Sequence, residues 1–117
     1  MTNDEFNKHV EERWDKVCTT VNKKAKIYAS TIDRLHSLKE GARMNKITTY
    51  EFCKILQTKH RIVLDDMIEA TKSGTYPTIE MIDEILGDII VYDIIMENLF
   101  LEGRDNALLG IDGKDIF

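Results

Sequence analysis

Proline occurs once in this chain, at Pro77, and stretches of alternating β-branched residues are few, so little interrupts or competes with a helical period. Cys18 and Cys53 are the only cysteines; they form no CxxC pair and have no histidine at a metal-ligand spacing. A disulfide framework and a zinc site are therefore not expected, and a reducing cytoplasm is. Basic charge is in the minority: the formal charge is -5 and the pI about 5.2, which argues against non-specific binding to nucleic acid or to an anionic membrane. There is no Walker loop, no GxGxxG, and no serine or cysteine in a nucleophile-elbow or triad setting, so covalent catalysis is not expected. The opening "MTNDEFNKHVEERW" is polar and acidic, unlike a secretory signal. The apolar segment 79–101 is interrupted by Glu80, Asp83, Glu84, Asp88, Asp93 and Glu97, which makes it a core helix rather than a membrane span.

What is present is enough for one all-α domain of 117 residues, 43% of them hydrophobic. The periodicity predicts a four-helix bundle over 1–102 and a short irregular C-terminal tail over 103–117. The first predicted helix, 3–28, aligns Phe6, Val10, Trp14, Val17, Val21, Ala25 and Tyr28 in one core stripe, with Glu11, Glu12, Asp15, Lys16 and Lys23 in water. A short basic helix over 31–44 carries Arg34, His36, Lys39 and Arg43, with Asn45 as its stop. The third helix starts from a capping box, Thr48 and Glu51, and ends at the "KSG" of 72–74. The fourth covers 78–101, with Pro77 near its start and Gly103 beyond its end. Being apolar nearly all round, it needs more cover than three short neighbours provide, and a homo-oligomer, most simply a dimer, is expected.

The chemistry lies in charges on apolar faces. The predicted core face of the third helix, Phe52, Ile55, Leu56, Ile62, Val63, Met67 and Ala70, has Lys59 and Asp66 near its middle and Glu69 at its edge. On the fourth helix Glu84 and Asp88 stack beside Met81, Val91, Tyr92 and Ile95. Uncompensated buried carboxylates cost several kcal/mol, so acids converging from two helices call for a cation, and Mg²⁺ shared with substrate phosphates is the natural one. The alternative is an ion pair of Lys59 with Asp66 or Asp88, with Glu69 and Glu84 in solvent. His9 reads as a surface histidine; Trp14 and Tyr28 read as core, although Tyr28 and Tyr92 would flank a base if a pocket opened beside them.

"DDMIE" (Asp65, Asp66, Glu69) followed by "EILGD" (Glu84, Asp88) resembles the paired acidic motifs of the MazG-like all-α nucleoside triphosphate pyrophosphohydrolases, in which two acidic helices bind magnesium. "YASTIDRLHSLKEGAR", "KHRIVLDDM" and "EILGDIIVY" are similar to small phage-type members of that superfamily, over residues 28–92. The resemblance implies Mg²⁺ on Asp66, Glu69, Glu84 and Asp88. It also implies phosphate or base contacts at Arg34, His36, Lys39, Lys59 and His60. In a hydrolase built on these residues a carboxylate such as Glu69 or Glu84 orients a water for in-line attack, Lys59, Arg34 or Lys39 neutralises the leaving pyrophosphate, and Tyr92 contacts the base. This chain departs from the pattern in several places. Asp65 projects off the stripe, the second motif has one extra residue, "IYA" (Ile27 to Ala29) replaces the group's "DYG", and Val91 replaces an asparagine. Two functions follow: a Mg²⁺-dependent pyrophosphohydrolase acting on a (deoxy)nucleoside triphosphate, or a non-catalytic phage accessory protein that sequesters a nucleotide or binds a host protein. Both place the chain in the cytoplasm, the host's if it is phage-encoded.

Overall fold

The computed structural model describes residues 1–28 and 33–109, the side chains of 24–28 excepted. The chain forms α1 (Asn3–Tyr28), α2 (His36–Asn45), α3 (Thr49–Thr71) and α4 (Ile79–Leu109), with no strand among the described residues. No described helix is long and apolar enough to cross a membrane.

Local sequence accounts for the helix ends. At the start of α3, Thr48 Oγ1 accepts from the Glu51 amide at 3.1 Å and Glu51 accepts from the Thr48 amide at 3.0 Å, so the predicted capping box is formed. At the other end the helix gives way at Lys72, and Gly74 supplies the left-handed turn (φ 79°). α2 begins later than its periodicity predicts. Asp33 accepts from the Leu35 amide at 2.9 Å, which holds a turn in front of His36; 31 and 32 lie outside the described residues. Its stop falls one residue beyond Asn45, on Lys46 in the left-handed conformation (φ 56°), while the Asn45 amide turns back to the Gly41 carbonyl at 2.7 Å.

Two predictions about elements are corrected. α4 does not end before Gly103; it continues to Leu109, so the tail expected over 103–117 is helical in its first part, and 110–117 lie outside the described residues. Gly103 is needed for close approach: a Cβ there would meet the hydroxyl of Tyr50, which donates to the Leu99 carbonyl at 3.0 Å and joins α3 to α4. Second, α3 is turned part of the way round from its predicted face: Phe52, Leu56, Val63, Met67 and Ala70 are buried or half-buried as expected, and Cys53, Gln57, His60 and Leu64 join them. Cys53 and Met67 are buried and Leu56, His60, Val63 and Leu64 partly so, whereas Ile55 and Ile62 are exposed. The rotation places Lys59, Asp66 and Glu69 in water, avoiding the several-kcal/mol cost of burying unpaired charge.

The core lies between α3 and α4, where Met67, Ile85 and Ile89 are surrounded by Val63, Leu64, Ile82 and Leu86. α2 rests on α3 with the Gly41 backbone against the Phe52 ring. α1 packs mainly on α4, through buried Val17 and the Asp83 carboxylate, which binds Arg13 at 2.8 Å and Lys16 at 2.9 Å. The predicted core stripe of α1 is thus covered only in its C-terminal half; Phe6, Val10 and Trp14 are exposed, and the side chains of Ala25 and Tyr28 lie outside the described residues.

Gly41→Ala gains up to about 1 kcal/mol of helix propensity but drives a methyl into the Phe52 ring, an overpacking cost of about 1–3 kcal/mol. A net loss of stability is expected in urea unfolding.

Candidate functional site

Antiparallel packing of α3 on α4 brings His60 opposite Asp88 and Tyr92, which lie one turn apart on α4. His60 Nε2 stands 3.8 Å from Asp88 Oδ2, beyond direct hydrogen-bond length; their side chains are 14% and 25% exposed. The His60 and Tyr92 rings tilt at 31° with centroids 5.7 Å apart. One turn further along, the Asp93 carboxylate accepts from Gln57 and lies 3.4 Å from Arg61. Asp88 therefore sits beside a histidine at the edge of the α3–α4 seam, and Lys59 is exposed elsewhere on α3.

Tyr92 also forms part of the wall of a half-open cavity of about 960 Å³ between α2, α3, α4 and Val21 of α1. Leu38, Phe52, Leu56 and Ile95 make its apolar surface, and Asp33, Arg34, Asn98, Glu102, Asp105 and Asn106 its polar rim. Arg34 donates to the Val21 carbonyl at 2.9 Å, fixing the side of the cavity where α1 meets α2. Next to it, Lys39 Nζ bridges Asp33 at 2.6 Å and Glu102 at 2.7 Å, pinning α2 to the distal part of α4. The hydrogen bond from Lys39 holds the Asp33 carboxyl below its ordinary range; the bonds to Asp33 and then Glu102 raise the Lys39 ammonium above its own. A separate groove between α1 and α4 contains Arg13, Lys16, Asp83, Glu84 and Asp88. There the hydrogen bond from Lys16 does most to keep the Asp83 carboxyl low.

Several residues predicted to act together are therefore apart. Arg34, Lys39 and Tyr92 gather at the cavity, with His60 behind Tyr92. His36 is exposed on α2, and Lys59 and Asp66 are exposed on the outer side of α3. Glu69 is exposed and pairs with Lys72 at 2.9 Å. Glu84 is exposed at the α1 groove it shares with Asp88. Among the described residues no three His, Cys, Asp or Glu side chains come together to hold a metal ion. The set expected for Mg²⁺, Asp66, Glu69, Glu84 and Asp88, thus does not fit a multi-carboxylate centre: two members lie on the outer side of α3 and the other two face α1.

Sequence reasoning missed Asp33, Glu102 and Asp93. Asp33 carried a signal, an acid just before a helix and six residues ahead of a lysine. Glu102 carried none, since Gly103 read as the end of its helix. No family model, no curated protein and no solved structure matches the chain.

The Asp33–Lys39 pair has a defined pH window. Because the Asp33 pKa is lowered on folding, its contribution is complete above the ordinary value of 3.8 and disappears as pH falls through the lowered one. Because the Lys39 pKa is raised, its contribution is complete below 10.5 and disappears as pH rises through the raised one. With both groups about one-third exposed the effect is modest. Urea unfolding of Asp33→Asn across pH should show a flatter acid limb than the parent.

Proposed function

We propose that the chain is a non-catalytic, self-associating relative of the phage-type MazG-like proteins that binds a nucleoside or nucleoside monophosphate in the α2–α3–α4 cavity. The observation that carries this reading is the cavity itself, whose roughly 960 Å³ lies in the range of small-molecule sites and whose walls are apolar with polar groups at the rim. Tyr92 and Phe52 contribute aromatic rings to the lining, and Asn98 and Asn106 contribute amide groups for the edge of a base or a ribose.

The rim charge favours a ligand of low charge. Arg34 is the one basic residue among the described residues lining the cavity, against Asp33, Glu102 and Asp105, and the Lys39 ammonium is engaged by two carboxylates. A triphosphate, with several negative charges to neutralise, would need more cations or a metal, and the described acids do not assemble around one. A single phosphate on the Arg34 guanidinium is the arrangement these residues support. The Mg²⁺-dependent hydrolase is the reading this one replaces, because dispersed carboxylates leave in-line attack without a metal clamp.

A thermal-shift screen of nucleosides, nucleoside monophosphates and triphosphates, each with and without Mg²⁺, tests the proposal. A nucleoside or monophosphate at about 100 times its Kd stabilises by roughly 2.7 kcal/mol, several degrees for a chain of this size. Tyr92→Ala and Arg34→Ala should remove the shift. Pyrophosphate release that requires Mg²⁺ and is lost in Asp88→Ala would restore the hydrolase instead. No shift with any nucleotide would end the nucleotide reading.

A further inference from the structure

Among the described residues, nothing covers the first turns of α1, ahead of the Arg13 contact to Asp83. Every residue from 1 to 12 is exposed, and among them and just beyond, Phe6, Val10 and Trp14 are 59%, 52% and 58% exposed. These three are four residues apart and continue the line of Val17, which is buried on α4, and Val21, which borders the cavity. One apolar stripe therefore runs from Phe6 to Val21, docked at Val17 and Val21 and bare ahead of them. Short helices are marginal in water without an apolar face packed against something, so the bare end requires cover.

The size of the uncovered surface indicates what covers it. The chain exposes 9276 Å², against about 6,600 Å² for a folded monomer of its mass. Its radius of gyration is 17.4 Å, where a compact domain of this length has about 13 Å. The surplus over the whole chain is larger than the ~800 Å² that one partner contributes to a standard interface. The stripe is also self-complementary. Two copies crossing antiparallel about a two-fold axis at Val10 place Phe6 of each opposite Trp14 of the other, each ring four residues from the axis, and the same patch serves both copies.

We propose that the N-terminal half of α1 is the subunit interface of a homodimer, with Phe6, Val10 and Trp14 of two copies packed antiparallel. This rests on the self-association in the reading above and not on its nucleotide. The interface lies on α1, rather than on the fourth helix that the sequence pointed to.

Trp14 is the one tryptophan in the chain, so its emission reports this contact without any substitution. The full chain should elute with twice its 13.6 kDa mass in light-scattering chromatography. Its emission should be blue-shifted when concentrated and move to the red on dilution through the dimer–monomer transition. Val10→Glu should halve the mass and give the red-shifted emission at every concentration. It should keep the parent's far-ultraviolet helical signal across α2, α3 and α4 and any nucleotide thermal shift. A parent that is monomeric at all concentrations overturns both the interface and self-association. A parent dimer that Val10→Glu leaves intact, with a solvent-exposed Trp14 spectrum throughout, overturns this interface and leaves self-association standing. Loss of nucleotide response in a dimeric parent bears on the cavity alone.

Discussion

The antiparallel seam of α3 on α4 is the constraint on which the molecule is built. Met67, Ile85, Ile89 and their half-buried neighbours form the hydrophobic cluster, and each fully buried side chain of this kind contributes on the order of 1.5–3 kcal/mol. By contrast, α1 is tied to the same seam through one buried valine and two half-exposed contacts to Asp83, each worth no more than about 1 kcal/mol. α2 is held by the Phe52 ring and by the lysine bridge to Asp33 and Glu102. Stability thus decreases outward from the seam, and the cavity lies where the less firmly held elements meet the firm ones.

The seam also determines where charge can reside. A helix with apolar residues on more than one side has several faces it could bury, and the choice between them is made by the charges. With the line Cys53–His60–Met67 inward, α3 buries a thiol, a neutral-capable ring and a thioether; one residue out of phase, it would bury Lys59 and Asp66. The penalty for unpaired ions exceeds what Ile55 and Ile62 would return on burial. The polar groups that remain at the seam are those with partners: His60 against Asp88, and Gln57 and Arg61 on Asp93.

Much of the architecture was legible from residues alone: the bounds of α1, the Thr48–Glu51 box, the end of α3 at the Lys72–Gly74 turn, and the all-helical class. What was not legible has specific causes. Periodicity gives the width of a stripe but not which of two adjacent stripes meets its neighbour, and that ambiguity displaced Lys59 and Asp66. A glycine that makes room for Tyr50 looks the same in sequence as one that ends a helix, and that displaced the end of α4 and hid Glu102. At the candidate site, Arg34 and Tyr92 line one cavity, and Lys39 is bonded to Asp33 and Glu102 on its rim. The acids were grouped on the assumption that α3 faces inward through Asp66, and they separate once it does not.

The two thiols record this gradient in chemical form. Cys18 is exposed on α1, whereas Cys53 is buried at the seam, where burial and then the nearby Asp93 charge push its thiol above the ordinary range. A thiolate is the reactive species, so Cys53 is shielded from alkylating agents both by access and by protonation. Its modification can proceed only as fast as α3 and α4 part, and Cys18 reacts without waiting for that event. The chain therefore contains its own clock for the opening of its central helix pair, with a freely reacting thiol beside it as the reference.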